Sequence, residues 1–302
     1  MILHLLLLLL SVFAASTAVI MIKASTVHPM LLSAWRLFVA AVILTPLFTR
    51  DYRRQREGYG WADLRVSIVP GIVLGTHLMS WVYGARMTPT ANASLIVNLV
   101  PVAMPFFLWF LVSEPISRNE LIATGIALTG VFILTAADLN ISTSYFAGDL
   151  ICLASMLFYA LYMALGRRNR TVATVWLYLV PLYYVAGTFC LVVALFFVNP
   201  IQAYPAREVL LILGLGIIPT VIGHSLLNNA MKHFRGQVVS ILNMGQFIFA
   251  GIMAFLLFRE VPGWPFYVAS ILLACSGWLV IRGTRKAAAD ALQKTNDDGE
   301  RS

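Results

Sequence analysis

The sequence predicts an all-α membrane protein, with ten transmembrane helices forming two inverted-topology five-helix repeats. Three observations lead to that fold class. The first is composition: 60% of the 302 residues are hydrophobic, 11% are charged, and mean hydropathy is +0.84. A soluble domain carries roughly 25% charged residues, so these few charges could not cover this much apolar surface in water. Lipid is the solvent that fits. The second observation is the recurrence of apolar stretches of spanning length. The third is an alternation of lysine and arginine between dense and sparse loops.

A bilayer core of roughly 30 Å takes about 20 apolar residues per helix. The first segment, 3–22, grows from the run Leu5–Leu10. Only His4 precedes that run, and the apolar stretch is too long for a signal-peptide core, so it counts as a helix and not a cleaved leader. The second, 30–48, follows Val27-His28-Pro29, and the third, 65–85, carries Pro70-Gly71 and ends before Arg86-Met87-Thr88-Pro89. The fourth, 91–112, contains Pro101 and Pro105 and stops at Glu114-Pro115. Segments 119–136 and 148–166 follow, then 174–198, which contains Pro181 and ends at Asn199-Pro200. The eighth, 208–230, is interrupted by Gly214, Gly216 and Pro219. Segments 237–258 and 264–281 flank Glu260-Val261-Pro262-Gly263. Proline and glycine mark the turns, and inside a helix proline frees a carbonyl and bends the chain.

The net charge of +8 invites comparison with nucleic-acid binders, but its placement points to a membrane. With the N-terminus in the cytoplasm, sixteen basic residues fall inside: Arg50, Arg53, Arg54, Arg56, Arg65, Arg118, Arg167, Arg168, Arg170, Lys232, Arg235, Arg282, Arg285, Lys286, Lys294 and Arg301. Four fall outside, namely Lys23, Arg86, Arg207 and Arg259, while Arg36 lies within a helix. Positive charge accumulates on the cytoplasmic side, so both termini are expected there, in a multi-pass inner-membrane protein. The polar stretch 285–302 reads as a cytoplasmic tail. Cys152, Cys190 and Cys275 lie in apolar runs and read as small buried side chains without disulfide or metal spacing.

The two halves overlay. Ser11, Ala15 and Lys23 fall on Ser155, Tyr159 and Arg167; Ser80, Ala85 and Asn98 on Ser225, Ala230 and Asn243; Glu114 on Glu260; and Leu128-Thr129-Gly130 on Cys275-Ser276-Gly277. An odd number of helices per repeat sets the second repeat, 138–284, in the membrane upside down relative to the first, 1–137. One fold in two orientations supplies two interconvertible gates around a midplane site.

Three stretches then carry a family resemblance. One runs from Trp81-Val82-Tyr83-Gly84-Ala85-Arg86-Met87-Thr88 through Asn98-Leu99-Val100-Pro101 to Ser113-Glu114-Pro115. Another links Gly148-Asp149-Leu150 to Tyr159-Ala160-Leu161-Tyr162 and Arg167-Arg168. The third is Gly223-His224-Ser225-Leu226-Leu227-Asn228-Asn229-Ala230, closing on Arg259-Glu260. Across nearly its whole length the chain resembles the EamA branch of the drug/metabolite transporter superfamily, with two EamA repeats. The resemblance implies a secondary transporter, and specifically an exporter, of a small organic metabolite. Where family members often place a Trp-Gly pair ahead of the first-helix lysine, this chain has Ala15-Ser16, and it has Gln246 in the second repeat where Pro101 stands in the first. The two gates are therefore not chemically equivalent.

Polar groups in hydrocarbon are costly unless paired or facing water. His77 and Trp81 share a stripe on the third segment, Tyr159 and Tyr162 on the sixth with Ser155, His224 and Asn228 on the eighth, and Asn243 and Gln246 on the ninth. Asn98 shares a face of the fourth segment with Ser94, Pro101 and Pro105. Together they make a set of cavity residues; singly, each also fits plain helix-to-helix hydrogen bonding. Lys23, Arg36, Glu114 and Glu260 are the charge and gating residues: Arg36 either snorkels or opposes an anionic solute, and the two glutamates sit at helix ends. No buried Asp or Glu is expected within a helix. An intramembrane enzyme acting on lipid or peptide is the alternative, but the sequence offers no Gly-x-Ser-x-Gly, no His-Glu-x-x-His and no intrahelical aspartate pair. A non-transporting structural membrane protein is the third reading. No P-loop, metal set or other cofactor motif is present; the partners expected are lipid and a small solute, with no nucleic acid. Monomer and homodimer both fit.

Overall fold

The computed structural model describes all residues but Met1, 56–57, 89–92, 94–95, 98, 137–143, 259–260 and 301–302. The helices are α1 Ile2–Ser16, α2 Ala18–Ala24, α3 Pro29–Arg54, α4 Trp61–Arg65, α5 Ile68–Met87, α6 Val100–Val112 and α7 Arg118–Ala136 in the first half. The second half has α8 Phe146–Arg168, α9 Val175–Leu195, α10 Ala206–Leu215, a π-helical stretch Gly216–His224, α11 Ser225–His233, α12 Gly236–Asn243, α13 Gln246–Phe258 and α14 Trp264–Glu300. No strand occurs among the described residues. Eight helices or continuous helix groups are long and apolar enough to cross a membrane, and α6 is a shorter apolar helix. The bundle's outer surface carries Phe106, Trp109, Phe110, Leu210, Ile271 and Trp278, which only lipid tails would solvate well. Cys152 and Cys190 are buried as expected, but Cys275 is exposed because its side of α14 faces outward, away from the partner helix.

Helices of one half pack on helices of the other in a reciprocal pattern. The leading helix α1 lies on the π stretch and α11, and α8, which leads the second half, lies on α5. Helices α3 and α9, α6 and α12, and α7 and α14 pair across the halves. Exchanging the two halves maps this set of pairings onto itself. A matched pair of hydrogen bonds repeats the symmetry: Ser11 Oγ donates to the Gly223 carbonyl (2.8 Å) and Ser155 Oγ to the His77 carbonyl (3.0 Å). Close approach at the α5–α8 contact depends on Gly84, where a Cβ would sit 2.6 Å from Cys152 Sγ.

Besides the span formed by α4 and α5, three of the spanning helices are interrupted. Between α1 and α2, Ser16 Oγ and Thr17 Oγ1 donate to the carbonyls of Phe13 (2.6 Å) and Ala14 (2.8 Å), side chains competing with the ladder where the helix breaks. In the eighth expected segment Pro219 has no N–H to give, and the helix widens to a π turn in which the Thr220 hydroxyl donates to the Leu215 carbonyl at 2.7 Å. Between α12 and α13 the chain tightens at Met244-Gly245, whose N–H groups reach Ile241 and Leu242 three residues back. Helix α6 ends differently: Ser113 is left-handed (φ 53°), and Glu114 N–H closes back on the Leu108 carbonyl at 3.2 Å, aiming the Glu114 side chain out of the helix line.

Candidate functional site

The breaks converge. A partly open cavity of about 110 Å³ lies between the halves, with Ala15, Ser16, Ala18 and Val19 around the α1–α2 break, Pro219 and His224 on the π stretch, and Gln246 and Phe247 opening α13. Arg36 from α3, His77, Leu78 and Trp81 from α5, Val97, and Tyr159 from α8 complete its wall. Interrupted backbone is tolerated at membrane depth where it is enclosed by protein or lines a polar space, and this arrangement meets that condition.

Below the cavity the rings form a packed layer. His77 stacks on Tyr159 (centroids 4.6 Å apart, planes at 15°), and His224 meets Tyr159 and Tyr162 edge-on at 6.0 and 5.8 Å. Ser155 Oγ lies 2.9 Å from His77 Nδ1 and donates to the His77 carbonyl, fixing the ring's rotamer across the α5–α8 contact. Asn228 Nδ2 donates to Tyr162 and to the His224 carbonyl (2.8 Å), and Asn243 Nδ2 lies 3.4 Å from Tyr159 Oη. His224 Nδ1 is buried with no hydrogen-bond partner among the described residues.

The sequence-predicted residues therefore divide. His77, Trp81, Tyr159, His224 and Gln246 line the cavity; Tyr162, Asn228 and Asn243 support its ring layer from behind. Asn98 and Glu260 lie outside the described residues. Lys23 is exposed at the end of α2, off the cavity wall. Arg36 does not snorkel: it is 1% exposed, and its Nε and Nη2 both donate to Thr220 Oγ1, at 3.0 and 2.9 Å. Thr220, absent from the sequence reading, is held for this role by its own bond to Leu215. Ala15 and Ser16 line the cavity where the family's Trp-Gly pair is absent, so the space there is free of a large ring.

A charge cluster ties the two halves together at one end of the bundle. Glu114 Oε2 accepts from Arg167 Nε (2.9 Å), and Glu114 Oε1 accepts from Gly236 N–H (3.1 Å) and lies 3.9 Å from Arg235 Nε. Arg235 Nε donates to Glu120 Oε1 at 2.6 Å, and Arg167 Nη1 to the Met231 carbonyl at 2.7 Å. Glu120 is itself placed by a capping box: Ser117 N–H donates to its carboxylate (2.7 Å), and Glu120 N–H to Ser117 Oγ (3.3 Å). Burial pushes the Arg235 pKa down, but the Glu120 hydrogen bond and the Glu120 and Glu114 charges outweigh it, holding the guanidinium above its usual range. At the other end Glu208 accepts from Ser25 Oγ (2.7 Å), Thr26 N–H (3.1 Å) and Thr26 Oγ1 (3.0 Å), while Arg86 donates to the Val27 and Ser25 carbonyls at 2.9 Å each. The expectation of no buried carboxylate within a helix is thus corrected. Asp51, Glu120 and Glu208 are buried helical residues, made tolerable by terminal-turn positions that bring Arg50, Arg235 and the Ser25–Thr26 pair within reach. None of the three lines the cavity.

Fold and site together define a multi-pass helical membrane protein with a cavity between its two halves. The chain belongs to the EamA-like transporter family, whose model matches residues 1–136 and 146–282, one repeat in each half. A solved structure described only as a crystal structure of protein is similar in fold, with a TM-score of 0.77 at 18% identity, covering 94% of this chain and 98% of that one. No curated protein matches the sequence.

Proposed function

We propose that the protein is a secondary transporter that exports a small organic solute across the inner membrane by alternating access, with both termini in the cytoplasm. In this reading ten helices cross the membrane, α6 with the turn before it and α7 joining the eight long ones. The repeats span 1–137 and 138–284 in inverted orientation, and 285–302 is a cytoplasmic tail. The observation that carries the reading is the cavity itself: partly open, lined by both polar and apolar side chains, built at helix breaks between the halves, with ion pairs joining one half to the other at the arginine-rich end of the bundle. A site reached from one side, with a closure made of reversible charge contacts, is what alternating access needs. The sequence has no P-loop, so the solute or ion gradient supplies the energy.

The purified chain in liposomes without nucleotide is the test. Counterflow of labelled solute, lost on filling the cavity with Ala18→Trp, is the expected result. Flux that requires ATP, or that ignores this substitution, would refute the reading.

A further inference from the structure

The cavity holds a full positive charge with no negative one to meet it. Among the described residues Arg36 has no acidic partner, and no Asp or Glu lines the cavity. Its two recorded hydrogen bonds go to one neutral hydroxyl, and that hydroxyl is already spending its proton on Leu215. A guanidinium carries five N–H donors, these bonds engage only two of them, and Arg36 is itself part of the cavity wall. A buried charge with neutral partners alone is expensive to keep, and burying it is offset only by an anion that arrives from outside.

Two further features point to the same place. His224 lines the cavity with its buried Nδ1 lacking any partner among the described residues. Helix α13 begins on the cavity wall at Gln246, bringing the positive end of its backbone dipole there. The rest of the wall is flat rings and small apolar side chains, from Trp81, Tyr159 and Phe247 to Val19, Leu78 and Val97.

We infer that the solute is a small organic acid with one carboxylate, bound to Arg36, an apolar or aromatic body against the rings, and no free ammonium group. One fixed charge matches one carboxylate, whose planar pair of oxygens suits the guanidinium fork. A free amine would meet Arg36 as a like charge, with no carboxylate on the wall to receive it. This rests on the transporter reading, and the experiment separates the two.

Benzoate, benzamide and benzylamine share one shape and differ in charge, so binding of each to the purified protein in lipid nanodiscs isolates the charge effect. Benzoate is expected to bind about ten- to a hundredfold more tightly than benzamide, the range of a charge-assisted hydrogen bond, and benzylamine least. Phenylalanine should bind more weakly than its N-acetyl derivative. Arg36→Gln should erase the preference for benzoate over benzamide. Should that variant not fold, the wild-type comparison decides alone. Equal binding of benzoate and benzamide, or a preference for benzylamine or free phenylalanine, overturns the inference. Counterflow of amines but not acids would overturn it while leaving transport standing; absence of binding and counterflow for the whole panel would overturn both.

Discussion

Removing the charge of Glu114 should open the arginine-rich end of the molecule. Its carboxylate is in contact with Arg167 and Gly236 from the second half, and the Glu114 and Arg167 side chains are only 11% and 8% exposed. Breaking a buried ion pair by removing one partner costs about 3–5 kcal/mol. Glu114→Gln keeps the shape and an oxygen for the Gly236 N–H, so about 2 kcal/mol of that loss is expected. It falls on the closed state alone, because in the open state the two halves are apart. At about 1.4 kcal/mol per tenfold, the open population rises about thirtyfold. A cysteine at Ala230, one residue from the Met231 carbonyl that Arg167 holds, reports on the opening, with Cys152, Cys190 and Cys275 replaced. Its labelling by a membrane-impermeant thiol reagent, added to the face that carries the arginine cluster, should accelerate by that factor in Glu114→Gln. An unchanged rate in both Glu114→Gln and Glu114→Ala would refute the account of this cluster as a closure.

Three other outcomes are expected. Ser113→Gly removes the penalty of a left-handed non-glycine residue and should stabilise the protein by about 1 kcal/mol in thermal unfolding, with Glu114 unmoved. Gly84→Leu sets a side chain against Cys152 and should cost more than the roughly 1–3 kcal/mol usual for overpacking, seen as a loss of folded protein in detergent. His28, lowered in pKa by burial and then by Arg86, stays neutral in the fold beside Tyr83; its contribution to stability is present above its unfolded pKa of about 6.5 and is lost as pH falls below it, so His28→Gln should flatten the acid side of a stability-versus-pH curve.

Eight of the spans, the proline-bent eighth segment and several cavity-lining positions are legible in the sequence because each is a local pattern: a run, a break, or a stripe on one helix face. What stayed hidden was long-range. Arg36 meets Thr220 across 184 positions, and nothing in a helix periodicity marks a threonine as the partner of an arginine so distant. Tyr162 and Asn228 lie on the same stripes as Tyr159 and His224, but α8 and α11 rotate them into each other instead of the cavity, a choice made by packing. In the sequence Arg167 counts as positive charge, as the repeat match of Lys23 and in a family stretch, Arg235 as positive charge alone, and Glu120 carries no signal; their meeting depends on the fold. The α12–α13 break rests on one glycine, Gly245, too weak a signal to divide an apolar run.

The capping box at Ser117 and Glu120 gives the closure an asymmetry in time. Glu120 is only 3% exposed and tied to its own helix end, whereas the Arg235 side chain is 36% exposed at the end of a short loop. In the proposed transport cycle, the acid stays where its helix needs it as the end opens and the arginine is the half that travels. Re-forming the pair then requires one side chain to find its rotamer, because its counterpart waits preorganised, and so less conformational entropy is lost at each return. A latch with one stationary jaw resets faster than one whose two arms must both be found again, and it wears no memory of how long it stood open.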